Sequence, residues 1–202
     1  MTTLSDSLAS KRLLQDNFLR FAPLIILPLL LSVFPAKSFG QQSTSSITFA
    51  KQSYSYTLLV NDQPSCPGIL KVLYSMKTMK ELTSFVDSIE MIRKEPSLQH
   101  VRIGFSLLGL KGKLLYERTI NRDNNTMTIA LKSFENNFNL MPYPTAFRAD
   151  YAVSHADNQT SIKYTQRVKI SKELSFFYRL FIKHQMRTFK KKLTQIIQRT
   201  CR

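Results

Sequence analysis

Histidine, cysteine and tyrosine are the residues through which this 202-residue chain could do chemistry, and their spacing excludes more than it supports. The three histidines, His100, His155 and His184, lie in separate segments and form no HxxxH or HExxH pair, so no metal site is expected. No G-x-S-x-G sequence frames a serine nucleophile. No G-x-G-x-x-G turn or phosphate loop occurs either, and only five glycines are present to build one. A Ser-His-Asp set assembled in space stays open, but nothing in the sequence marks it. On these grounds no catalytic residue and no cofactor are expected. Cys66 and Cys201 have neither metal-ligand nor redox spacing. In an exported chain one disulfide between them is open, tying the C-terminal tail to the loop around Cys66; two unpaired thiols are the equal alternative.

The elements that must position these side chains are legible from periodicity. From about Lys172 to Gln198 there is no Pro or Gly, and Ser171, Lys172 and Glu173 read as a helix start. Ile182, Met186, Phe189, Leu193 and Ile196 then recur at steps of four, three, four and three, one stripe of an α-helix. Phe177, Leu180 and Phe181 widen that stripe at its start. Upstream, apolar residues alternate with polar ones as in a sheet with one dry face: Val101, Ile103, Phe105; Leu114, Tyr116; Met127, Ile129, Leu131; Phe147, Tyr151, Val153; Ile162, Tyr164, Val168, Ile170. Turns are expected at Asn121–Asn125 and His155–Gln159. Ile47 to Val60 reads as strand with a parity change near Lys51 to Ser53, and Ile69 to Phe85 as two short helices. A bent sheet of six or seven strands gripping one long helix leaves space between them, a natural site for an apolar ligand.

Charge and leader bound the setting. Lys and Arg number 29 against 13 Asp and Glu, a net charge of +16. Twelve of those bases, against one Glu, fall between Lys163 and Arg202. Arg179, Lys183, Arg187, Lys190 and Lys191 share a helix face, which is either a solvated face or a contact for an anionic surface such as a membrane. A polar, basic start (Lys11, Arg12, Arg20) precedes the 14-residue apolar run Phe21–Phe34, with small residues at Ser38 and Gly40. This reads as an export signal at 1–40 with cleavage after Gly40, and a periplasmic or secreted product. The run is short for a membrane span, with an uncleaved anchor as the alternative. Residues 41–46 read as a linker and 47–202 as the domain.

The order strand, two short helices, a run of antiparallel strands and a long final helix resembles the START-like helix-grip superfamily, also called SRPBCC, which includes polyketide cyclase-like and coenzyme Q-binding START-like proteins. Ile69–Leu73, the stretch Met79 to Ile92, and Leu193, Ile196 and Ile197 near the chain's end are its local echoes. The resemblance implies an α+β helix-grip fold from about Ile47 to Gln198 and a lipid, isoprenoid quinone or other apolar small molecule as partner. It brings no shared catalytic residue.

The residues expected to line the cavity are Phe105, Tyr116, Phe147, Tyr151, Tyr164, Gln166, Phe177 and Phe181, with His184 at its rim. A buried phenol needs a hydrogen-bond partner, so Tyr116, Tyr151 and Tyr164, with Gln166 and Arg118 of the same parity, are candidates to hold a polar headgroup. Two other readings stand beside the carrier: a cyclase-like or hydrolytic enzyme on the same scaffold, and a surface protein acting through its basic helix. No nucleic-acid partner is expected, because export argues against it and the basic run is not interleaved with exposed aromatics in a way that demands one.

Overall fold

The computed structural model describes residues 43–83, 86–107, 110–136 and 142–201. The export signal read at 1–40 lies outside the described residues, as do Phe85, Phe138, Leu140 and Met141. Eight strands form one antiparallel sheet: β1 (Ser43–Phe49), β2 (Ser53–Pro64), β3 (Ser88–Lys94), β4 (Leu98–Leu107), β5 (Leu110–Asn121), β6 (Thr126–Asn136), β7 (Pro144–Ala156) and β8 (Gln159–Ile170). Their spatial order is β1-β2-β8-β7-β6-β5-β4-β3. Two short helices, α1 (Ile69–Leu73) and α2 (Met76–Leu82), separate β2 from β3, and α3 (Phe176–Thr200) closes the chain. The class is the expected helix grip.

The count exceeds six or seven because the first stretch folds back on itself. Phe49 pairs with Tyr54 and Ser43 with Val60, so the parity change near Lys51 is a hairpin and the short helices follow the second strand rather than the first. Ser43 to Ser46, read as linker, belong to β1. Three of those four residues are exposed, so no apolar alternation marks them as strand; pairing with β2 makes them one.

The turns follow from residue type. Asp157 (φ 50°) and Asn158 (φ 60°) fill the two-residue loop between paired Ala156 and Gln159, where both central residues need positive φ. The Asn121 side-chain oxygen accepts from the backbone N–H groups of Asp123 and Asn124, both at 3.1 Å, and so holds the β5–β6 turn. Along β8 every second residue, Thr160, Ile162, Tyr164, Gln166, Val168 and Ile170, is buried.

The closing helix begins later than Ser171. Leu174 is buried against Val168, Ile170 and Ile182, and its N–H donates to the Lys51 carbonyl at 2.9 Å. That anchoring keeps the chain extended until Ser175, whose hydroxyl accepts from the Tyr178 N–H at 3.3 Å as the cap. From there Ile182, Leu193, Ile196 and Ile197 are buried, and Met186 and Phe189 pack on the sheet. The helix makes its closest backbone approaches to β1, β2, α1 and α2. Its far end is tied covalently: Cys66, just before α1, and Cys201 form a disulfide across 135 residues of chain, with both residues buried. In the chain-entropy account, closing a loop of that length restricts the unfolded chain enough to contribute about 5 kcal/mol.

Candidate functional site

Between the inner face of the sheet and α3 lies a cavity of about 250 Å³. Five strands, both short helices and α3 line it. β4 to β8 supply Ile103, Tyr116, Arg118, Met127, Ile129, Phe147, Tyr151, Tyr164 and Gln166, while Leu73, Met79 and Leu82 close one side and Gln185, Met186 and Phe189 the other. Strand pleating explains the first group, since each side chain sits on the inward parity of its strand.

Aromatic rings form most of one wall. Tyr164 lies 4.7 Å between ring centroids from both Tyr151 and Phe189, and Tyr116 meets Phe147 edge-on at 5.4 Å. The polar groups among them are partly paired with each other. The Tyr164 hydroxyl donates to Gln166 Oε1 at 2.6 Å, and Gln166 Nε2 donates to the Tyr54 hydroxyl at 2.9 Å. Burial pushes the phenols of Tyr54, Tyr116, Tyr151 and Tyr164 up from their ordinary value, so all four stay neutral and protonated well into alkaline pH. Such groups can hold a polar atom by hydrogen bonding but supply no base near neutrality.

Of the residues expected at the cavity from sequence, Tyr116, Phe147, Tyr151, Tyr164 and Gln166 line it. Four others lie elsewhere. Phe105 sits two residues beyond Ile103 on β4, and its ring stacks on Phe134 (6.1 Å), which stacks in turn on Tyr143 (5.2 Å). Phe177 is 80% exposed and Phe181 43%. Their helix positions lie about 140° and about 100° around from Ile182, so the buried stripe turns away from them. His184, two residues beyond Ile182, is exposed for the same reason. The lining residues that the sequence reading missed, Met186 and Phe189 above all, belong to the α3 stripe and read there as ordinary core.

The basic residues also divide. Lys183, Arg187 and Lys191 are exposed and Arg179 is half-buried; Arg179 and Lys183 also sit over the Phe49 ring at 5.7 and 5.9 Å. Lys190 donates to the Ser43 carbonyl at 2.9 Å and so binds the helix to β1. Among the described residues no group of His, Cys, Asp or Glu could hold a metal ion, and no helix is long and apolar enough to cross a membrane.

No family model matches the sequence, and no curated protein matches it. Solved structures do. A fragment of a STAR-related lipid transfer protein from Xanthomonas axonopodis superposes with a TM-score of 0.53 at 10% identity, covering 80% of this chain and 96% of that one. The Zhui aromatase/cyclase from a Streptomyces species gives 0.51 at 8% identity, covering 79% and 92%. A protein of Thermus thermophilus gives 0.51 at 11%, covering 80% and 97%. This chain has the START-like helix-grip fold. At these identities the likeness concerns the fold alone, and within that START-like frame the cavity above is this chain's own.

The raised phenol values set a pH dependence. The unfolded chain releases its tyrosine protons near pH 10 while the folded chain retains them, so stability is fully present below about pH 10 and is lost as pH rises past it. Unfolding in denaturant at pH 8 and pH 11, with tyrosinate absorbance followed in parallel, is expected to show that loss. Tyr164→Phe is expected to flatten the slope, and to cost about 1–3 kcal/mol at neutral pH by leaving Gln166 Oε1 without its donor.

Proposed function

We propose that this chain binds an apolar small molecule, such as a lipid or isoprenoid quinone, in the cavity between sheet and closing helix. In this reading it serves as an exported carrier or binding module at a membrane surface. The observation that carries the reading is the cavity itself: about 250 Å³ walled by Met127, Ile129, Phe147, Met186 and Phe189, at the grip where packing would otherwise be complete. That volume lies just under the roughly 300–1,000 Å³ usual for small-molecule sites. The name of the Xanthomonas protein, a STAR-related lipid transfer protein, is in keeping with a lipid. The cyclase reading has less support, because the cavity's titratable groups are phenols held away from neutrality and one arginine.

The membrane half of the proposal rests on the first turns of α3. Phe176, Phe177, Leu180 and Phe181 are all exposed, at 70%, 80%, 46% and 43%, and Arg179, Lys183 and Arg187 stand beside them. An apolar knob ringed by cations fits an anionic lipid surface, where each base contributes about 1 kcal/mol. Export is supported by the Phe21–Phe34 run and by the Cys66–Cys201 disulfide, a bond that persists in oxidising compartments.

Three measurements test these parts separately. The neutral dye N-phenylnaphthylamine is expected to fluoresce on binding, and Ile129→Trp, which narrows the cavity, to weaken the signal strongly at a stability cost of no more than about 1–3 kcal/mol. Full fluorescence in that variant would remove the cavity from consideration. In flotation assays the protein is expected to rise with vesicles containing phosphatidylglycerol and not with pure phosphatidylcholine. Phe176→Ser with Phe177→Ser should abolish flotation, and flotation unchanged in that double variant would count against this docking face. N-terminal sequencing of the exported protein is expected to begin at Gln41; an intact leader on membrane-bound protein would mean an anchor instead.

A further inference from the structure

Arg118 is the largest fully buried side chain among the described residues, 1% exposed, and it lines the cavity. Its Nη1 donates to Gln99 Oε1 at 2.8 Å and reaches Met76 Sδ at 3.7 Å. Its Nη2 donates to the carbonyl of Leu73, the last residue of α1, at 3.2 Å, and the guanidinium lies 5.0 Å over the Tyr74 ring. Every one of these partners is neutral. Among the described residues no carboxylate pairs with Arg118, and its Nε–H, fully buried, has no hydrogen-bond partner. A structural role explains the two terminal nitrogens. It explains neither the net charge nor the vacant donor, since a buried cation without a counterion is costly and a neutral side chain could fill the same space.

Beside it, Tyr151 lines the same cavity, close enough that its phenol and the guanidinium influence each other's ionisation. One uncompensated positive charge with an N–H left unpartnered, beside a phenol on the wall of a greasy space, describes an acceptor for a single negative charge.

We propose that the cavity selects an apolar molecule ending in a carboxylate, its body against Met127, Ile129, Phe147 and Phe189 and its acid on Arg118 and Tyr151. This rests on the cavity-binding reading and names the ligand class within it. A doubly charged phosphate would exceed the one positive charge present.

Displacement of N-phenylnaphthylamine at pH 8 tests it. Decanoate is expected to displace the dye from the wild-type protein at concentrations at least about tenfold below those of decanol, the effect of one charge-assisted hydrogen bond. Acetate is expected to displace nothing. Arg118→Met should lose the preference for decanoate over decanol, whatever its effect on dye binding itself, and Arg118→Lys, which keeps the charge, should retain part of that preference. Circular dichroism melts establish that each variant is folded, and the wild-type comparison decides by itself should Arg118→Met fail to fold. Decanol binding as tightly as decanoate, an undiminished preference in folded Arg118→Met, or acetate competing as well as decanoate would each overturn the proposal while leaving apolar binding intact. Absence of dye, decanol and decanoate binding altogether would overturn the cavity reading beneath it.

Discussion

Everything in this fold follows from one mismatch of widths. Eight strands spaced about 4.8 Å apart make a sheet several times broader than a single helix, which is about 10 Å across. The inner face is apolar along most of its width, yet one stripe, Ile182 to Ile197, is all that α3 brings to cover it. The helix seats near β1 and β2, and α1 and α2 take the flank. Over the middle of β4 to β8 these elements leave space unfilled, and that space is the cavity.

That geometry makes the parts depend on one another. Cys66 holds the tail of α3 beside α1 through Cys201, and the last carbonyl of α1 accepts a hydrogen bond from Arg118 on β5. Helix end, short helix and mid-sheet strand therefore form one tethered corner of the cavity. On β8 and β2, the Tyr164 hydroxyl, the Gln166 amide and the Tyr54 hydroxyl are linked by two hydrogen bonds. Both arrangements put hydrogen-bonding groups inside an apolar space without opening it to water, which is tolerable only because nearly every donor has a partner.

How much of this was legible depended on whether the signal was local. The alternation of Ile162, Tyr164, Gln166 and Val168 named β8 and its inward residues, because a strand with one dry face repeats every two residues whatever it packs against. The α3 stripe was equally plain. Ser43 to Ser46 carried no such mark, being mostly exposed edge strand created by pairing with β2. The start of α3 depended on Leu174 reaching Val168 and Ile170, a tertiary contact that overrides the Ser171 signal. Phe177 and Phe181 were misplaced because an aromatic near a stripe was counted as within it, although the angle around the helix puts both outside. Arg118 was legible as a headgroup candidate from its inward parity, but its burial without a carboxylate partner depends on neighbours from other elements, which no periodicity encodes. Which inward residues bound the cavity is set by how far the helix sits from each strand, and no periodicity encodes that.

The two ends of α3 answer to different surroundings. Its C-terminal half is buried on all the residues of one stripe and locked by the disulfide, so its position is over-determined. Its first turns hold Phe176, Phe177, Leu180 and Phe181 in the open, where exposed aromatic area is unfavourable unless something apolar receives it. Met186, on the cavity wall, follows Phe181 by only five residues, about 7.5 Å along the helix axis. The exposed aromatic turn and the interior space are thus neighbouring stretches of a single rod. A water-insoluble ligand passing between a membrane and the cavity would travel least through water by that end, which gives the exposed turn and the cavity a common physical rationale.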